Sequence, residues 1–225
     1  MKDFDTIKSV DEYLKLFKEP KSGFKPNLIV EEAYKVALDT RKFEIDLYWK
    51  RATYFWAFIA ASFAGYFVVF GKSKLLCIVI AVIGFFFSIG WYFVNRGSKY
   101  WQENWEKHLN VLTMFKAGPI FKIIKYPEAN IFQLLEDYPF SVSKVNQTLS
   151  LIITFVWCYI LGISSYLYLD LQWSNIVRKT VNISCLFTIL LIGIVLLYNS
   201  TSFAKKGMSK KYEKNPLFLL KKDKK

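Results

Sequence analysis

Four stretches of this chain carry no charged residue: Ala52 to Phe70, Leu75 to Val94, Leu149 to Leu169 and Val181 to Phe203. Each has about 20 residues, which as a helix spans roughly 30 Å, the thickness of the hydrocarbon core of a bilayer. A helix of that length buried in a soluble protein keeps a polar stripe, and these have none. They are read as transmembrane helices. The rest of the chain agrees by contrast. Over 225 residues, 53% are hydrophobic and 22% charged, with mean hydropathy +0.22. Apolar and charged residues are therefore segregated into spans and polar connections. Disordered, collagen-like and disulfide-scaffold classes are excluded. Cys77, Cys158 and Cys185 all fall inside apolar runs, where they act as small hydrophobes.

The charge pattern orients the spans. Of 31 Lys and Arg, 27 lie before the first span, between the second and third, or after the fourth. Lys72 and Lys74 in one short loop and Arg178 and Lys179 in the other make up the remaining 4. By the positive-inside rule, both termini and the middle loop face the cytoplasm. The expected fold is all-α: four transmembrane helices as two hairpins, with long cytoplasmic helical extensions. No segment of the first 50 residues resembles a cleavable signal peptide.

Five segments follow. Residues 1–26 form an N-terminal cytoplasmic element, in which Ser9 and Glu12 fit a capping box and Pro20 stops a short helix. Residues 27–114 form the first hairpin with its extensions. Val30, Tyr34, Ala37, Leu38, Ile45 and Trp49 recur at helical spacing before the first span, and Trp101, Trp105, His108 and Leu112 do so after the second. Asn95 to Ser98 is a place for a kink. Residues 115–148 connect the hairpins through Pro119, Pro127 and Pro139, with a short amphipathic helix expected around Ile131, Phe132, Leu134 and Leu135; Ser141 or Ser143 then caps the next helix. Residues 149–203 form the second hairpin, and residues 204–225 a basic cytoplasmic tail containing the apolar cluster Leu217 to Leu220.

Little here carries catalysis. There is no Gly-rich phosphate loop, no H-E-x-x-H and no C-x-x-C, and the single His108 rules out a multi-His metal site. No cofactor is expected. Adjacent Glu136 and Asp137 point to different helix faces and read as a solvated turn. The sequons at Asn146, Asn182 and Asn199 lie on the cytoplasmic side or in spans. No ionisable Asp, Glu, Lys, Arg or His lies within a span, which argues against a coupled transporter. Ser62, Ser88, Thr154, Ser164, Ser165 and Thr188 either line a pore or hydrogen-bond between helices, the second being preferred. Ala60 with Ala64, Ala61 with Gly65, and Gly84 with Ser88 are small-xxx-small pairs that suit close helix packing, within the hairpin or between copies. Trp101, Trp105 and His108 pack on the preceding cytoplasmic helix or dock a partner. Arg51 and Arg96 at the span ends, and Lys205, Lys206, Lys210 and Lys211 in the tail, are expected to contact anionic lipid headgroups. That lipid surface, rather than nucleic acid, is the expected partner of the +13 net charge.

The run Y-W-K-R-A-T-Y-F-W-A-F-I-A-A-S-F-A-G-Y-F from Tyr48, and N-R-G-S-K-Y-W-Q-E-N-W-E-K-H-L from Asn95, resemble a family of small bacterial integral membrane proteins. In that family R-A-x-Y-F-W opens the first span and R-G-S-K-x-W-Q-E-N-W-E-x-H follows the second. The architecture is also similar to SLATT-type membrane effector domains, although a second hairpin and a basic tail depart from them. The resemblance implies a bacterial inner-membrane location. The sequence reading is a non-enzymatic, homo-oligomeric inner-membrane component that anchors or signals to a cytoplasmic protein partner in a defence or stress system. The alternative is an oligomeric pore-forming effector opened by a cytoplasmic signal.

Overall fold

The computed structural model describes residues 4–18, 26–118, 120, 138, 140–170, 174–198 and 218–221. A short strand β1 (Phe4–Ile7) precedes helices α1 (Val10–Lys18), α2 (Pro26–Val69), α3 (Lys74–Lys116), α4 (Val142–Tyr168) and α5 (Asn175–Tyr198), and strand β2 (Phe218–Lys221) follows. Four of the helices are long and apolar enough to cross a membrane. The chain is thus an all-α multi-pass protein, as the charge-free runs require. The expected helix around Ile131 to Leu135, the Glu136–Asp137 pair, Asn199 and tail lysines 205, 206, 210 and 211 lie outside the described residues.

Local chemistry sets the helix ends. Pro26 opens α2, a position where its missing N–H costs nothing. The helix then runs 44 residues, roughly 66 Å. Gly71, with φ +79°, turns the chain where a side chain would be strained, and Ser73 Oγ accepts from Leu76 N at 3.4 Å to start α3. Helix α3 continues unbroken through the Asn95–Ser98 stretch for 43 residues. Ser141 caps α4, accepting from Lys144 N at 3.4 Å. On α1, Ser9 Oγ accepts from Glu12 N at 3.1 Å, while the Glu12 carboxylate accepts from Lys8 N at 2.7 Å. That is a capping box closed one residue earlier than usual. Helix α5 starts ahead of the charge-free run and takes Arg178 and Lys179 into its first turns.

The chain divides into two compact units. The first comprises residues 1–43, 102–128 and 203–225. Its core joins Tyr13, Ala37, Leu109, Val111, Leu112 and Ile7, with Val30, Tyr34, Leu38 and Trp105 packed around them. Amphipathic α1 therefore buries its apolar face on the N-terminal part of α2 and the C-terminal part of α3. Arg41 pairs with Glu106 at 3.3 Å and Glu31 with Lys116 at 2.7 Å, so these parts run antiparallel. Strands β1 and β2 pair antiparallel, Phe4 opposite Lys221 and Ile7 opposite Phe218. The apolar cluster expected in the tail thus supplies a strand to the chain's other end.

The second unit comprises residues 44–101 and 129–202 and holds the spans. Its inward positions follow alternating steps of four and three. They are Tyr48, Ala52, Phe55, Ile59, Ser62 and Tyr66 on α2; Cys77, Ala81, Gly84, Ser88, Trp91, Asn95 and Ser98 on α3; and Asn146, Ser150, Ile153, Trp157, Ile160 and Ser164 on α4. This is the spacing of coiled-coil seams. Small and polar residues hold most of it, while Phe58, Phe67, Phe86, Phe93 and Phe155 face outward. Lipid is as apolar as a phenyl ring, so burying large side chains gains little in a bilayer and close backbone approach gains more. Helix α5 packs on α4, with Gly193 against Ile152. Lys74 and Asp170 lie 3.6 Å apart, which places both hairpin turns at one end of this unit.

Candidate functional site in the interhelical seam

Side chains with polar atoms cross the seam at three levels. Asn146 Nδ2 donates to the Tyr48 hydroxyl at 2.7 Å, and Asn95 Nδ2 donates to the Asn146 carbonyl at 3.5 Å. These three residues, one from each of α4, α2 and α3, are buried together. Nearer the hairpin turns, the Tyr66 and Ser164 hydroxyls share a hydrogen bond of 3.0 Å. Arg51 Nη1 donates to Ser98 Oγ at 3.0 Å and lies 3.9 Å from the Glu44 carboxylate. That carboxylate oxygen is buried and makes no hydrogen bond, so the contact is an ion pair.

Ser62, Ser88, Thr154 and Ser164 are buried. Each donates to the carbonyl four residues back in its own helix, at 2.7 to 2.8 Å. Sequence reading expected such groups to bond between helices; only the Tyr66–Ser164 pair among them does so. Back-bonding wins because the i−4 carbonyl is always within reach of a helical Ser or Thr. Ser165 is half-buried, and Thr188 is exposed and back-bonds to Ser184 at 2.8 Å. Among the described residues no three His, Cys, Asp or Glu side chains meet at metal-binding distance.

The small residues separate into two groups. Ala60, Ala61 and Ala64 are exposed, and Gly65 is half-buried with its nearest neighbour, Ile80 Cδ1, at 3.6 Å from where a Cβ would sit. Gly84 is buried beneath the indole of Trp157, and Ser88 is fully buried above it. The spacing made these residues candidates; their partner on α4 had no local signal. Arg96 lies over the Tyr92 ring at 5.6 Å, exposed midway along α3 just past the charge-free run.

Trp101, Trp105 and His108 have different surroundings. Trp101 belongs to the second unit and is half exposed. Trp105 packs on the core of the first unit, beside His108 with ring centroids 5.4 Å apart. The Tyr13 hydroxyl and His108 Nδ1 share a hydrogen bond of 2.8 Å. Burial pushes the Tyr13 phenol up to about 12 and the His108 imidazole below its usual value, so both are neutral at pH 7. Chemically this is a docking clamp for α1: a phenol held protonated, bonded to an imidazole held neutral. The sequence offers packing on α2 or a docked partner for these rings; Trp105 packs on a cluster with residues of both α2 and α1, and α1, with Tyr13 95 residues before His108, has no local signal.

No curated protein and no solved structure matches the chain. Residues 31–167 match the family described as the octameric membrane protein family (8xMP). That match covers more than half of the sequence, from the extension before the first span to the end of α4. The chain belongs to the octameric membrane protein family.

Proposed function

We propose that this chain is a non-enzymatic subunit of a homo-octameric ring in a bacterial inner membrane, and that the ring encloses an axial passage. The family's description supplies the number of copies. The ring follows from symmetry. Every copy inserts with the same loops on the same side, so all copies share one orientation across the bilayer. Dihedral arrangements within one membrane need half the copies inverted; a cyclic arrangement does not. A closed ring of eight leaves space on its axis.

The observation that carries this reading is how little of each span its own protomer covers. Only 6% of the apolar stretch of α5 is buried, against 28% for α3 and α4 and 22% for α2. Neighbouring copies and lipid must cover the rest. The serine hydroxyls and asparagine amides of the seam are engaged within the protomer, while the buried indole N–H groups of Trp91 and Trp157 have no partner among the described residues; the passage is placed between copies rather than through one. The test is the mass of the complex in nanodiscs together with ion flux in liposomes. Eight copies and measurable flux are expected. A monomeric mass would overturn the ring.

A second reading has its own support. In the first unit Val36, Phe43, Met114 and Phe115 are exposed although they lie outside the charge-free runs. They suit an anchor that holds a partner protein at the membrane. An eight-copy mass without flux would favour that reading over a passage.

A further inference from the structure

Between α4 and α5, at the end of the second unit where both hairpin turns lie, is a groove of about 280 Å³. Its floor and walls include Cys158, Gly162, Ile163, Val181 and Cys185, and Tyr166, Asn182 and Arg178 stand among the apolar residues. The two helices are joined by a tight turn, so position along each gives depth. Arg178 is in the first turn of α5 and Tyr166 in the last turn of α4. Cys158 and Cys185 lie seven or eight residues further from the turn, about 10–12 Å deeper at the helical rise. The groove thus runs from a cationic mouth at the level of the loops into the depth of one leaflet.

We propose that this groove binds one acyl chain of an anionic phospholipid, with the phosphate on Arg178. Three observations argue for that occupant. The groove lies on membrane-spanning helices, so the molecules that reach it are lipids. Its lining is mostly apolar, with Asn182 and the Tyr159 and Tyr166 rings among the apolar residues and its one cation, Arg178, at the mouth, so charge and apolar surface are separated along it as they are along a phospholipid. Its charge is complementary to phosphate: Arg178 Nη2 donates to Asn175 Oδ1 at 2.7 Å, which fixes the planar fork while using one of its five N–H donors. Lys72 in the first turn, Lys74 at the start of α3 and Lys179 in α5 add cations at this end, with Asp170 engaged by Lys74. Gly162 supplies the space. Nothing lies within 4 Å of where its Cβ would be, so a larger residue there enters the groove without displacing a packed neighbour.

The full-length protein is purified in mild detergent, offered phosphatidylglycerol, phosphatidylcholine or water-soluble glycerophosphate, and weighed intact by native mass spectrometry. Wild type should retain phosphatidylglycerol in preference to phosphatidylcholine and should not retain glycerophosphate. Arg178→Gln should lower phosphatidylglycerol retention about fivefold, the scale of one cation near an anionic surface, and Arg178→Lys should restore most of it. Gly162→Leu should lower retention of both phospholipids while leaving the elution profile and helical signal unchanged. Equal retention of the two phospholipids in wild type, or unchanged retention in Arg178→Gln, would overturn the proposal. So would retention of glycerophosphate, which would make the site a plain anion site. Loss of the oligomer in Gly162→Leu with lipid retention unchanged would place a neighbouring copy in the groove instead.

Discussion

A methyl group on residue 84 would sit inside the indole ring of Trp157: the second and third spans touch where α3 has no side chain. Trp157 is fully buried there, stacked on Phe63 with ring centroids 4.3 Å apart, so it has no free side to move towards. Gly84→Ala should therefore destabilise the bundle, by about 1–3 kcal/mol, the usual range for overpacking a close-packed site. Gly65→Ala is the control. Its new methyl meets Ile80 at an ordinary 3.6 Å, and replacing a helical glycine recovers about 0.5–1 kcal/mol. Thermal melts in detergent should fall for the first variant and hold or rise for the second. Equal melts would mean that Trp157 is free to shift.

Exposed small residues should behave differently from buried ones. Ala60 and Ala64 are one turn apart on the outward side of α2. If that side meets a neighbouring copy, Ala64→Leu inserts bulk between backbones and shifts the complex to lower mass in nanodiscs, with the melt of the protomer little changed. If it meets lipid, the mass stays as it was, since lipid accommodates a leucine.

The Tyr13–His108 clamp gives the first unit a dependence on pH. Burial holds the imidazole below its ordinary value, so the unfolded or undocked state binds a proton more readily than the docked state does. The clamp's contribution is full above about pH 6.5, the ordinary histidine value. It declines as the pH falls below that, because the docked imidazole must take on a charge in a desolvated site. Hydrogen exchange of residues 10–18, corrected for intrinsic rates, should show less protection at pH 5.5 than at pH 7.5. His108→Gln should flatten the difference. Equal protection at both pH values in wild type would mean that α1 is held by its apolar face alone.

Topology is open to direct measurement. The turn containing Lys72 and Lys74 and the turn beside Asp170 lie at one end of the second unit. With 27 of 31 basic residues in the other segments, those turns should be outside and the C-terminus inside. A reporter fused at Lys225 should show cytoplasmic activity, and a cysteine introduced at Ser73 should react with an impermeant maleimide from outside intact cells. Both on the same side would remove one span from the count.

What could be read from the residues alone was what repeats or stops locally. Charge-free runs marked the spans, Pro26 opened α2, Ser9 was a recognisable cap, and Ser141 was one of two cap candidates with Ser143. The seam was harder to see because serines, asparagines and Gly84 are interspersed among its apolar members and interrupt the apolar periodicity. Contacts between distant segments left no local mark at all. His108 carries no sign that Tyr13 will meet it, Gly84 none that Trp157 will cover it, and Phe218 none that it pairs with Ile7. The small-residue pairs were visible, but whether a small residue faces a sister helix or the outside is decided by the third span, and Ala64 and Gly84 came out on opposite sides of that decision.

The hydroxyls of Ser62, Ser88, Thr154 and Ser164 also bear on how the protein is made. Each can give its proton to a carbonyl of its own helix, one turn back. None needs a second helix to be present before it can leave water. A span carrying such a residue can move sideways out of the translocation machinery as soon as it has coiled, and wait in the bilayer for its neighbours. The tie between Tyr48 and Asn146 is of the other kind. The amide of Asn146 has no phenol to bond until α2, made about a hundred residues earlier, is alongside. Synthesis order supplies that: the first hairpin is already in the membrane when the third span arrives, so the residue that most needs a partner is delivered last to one that is waiting.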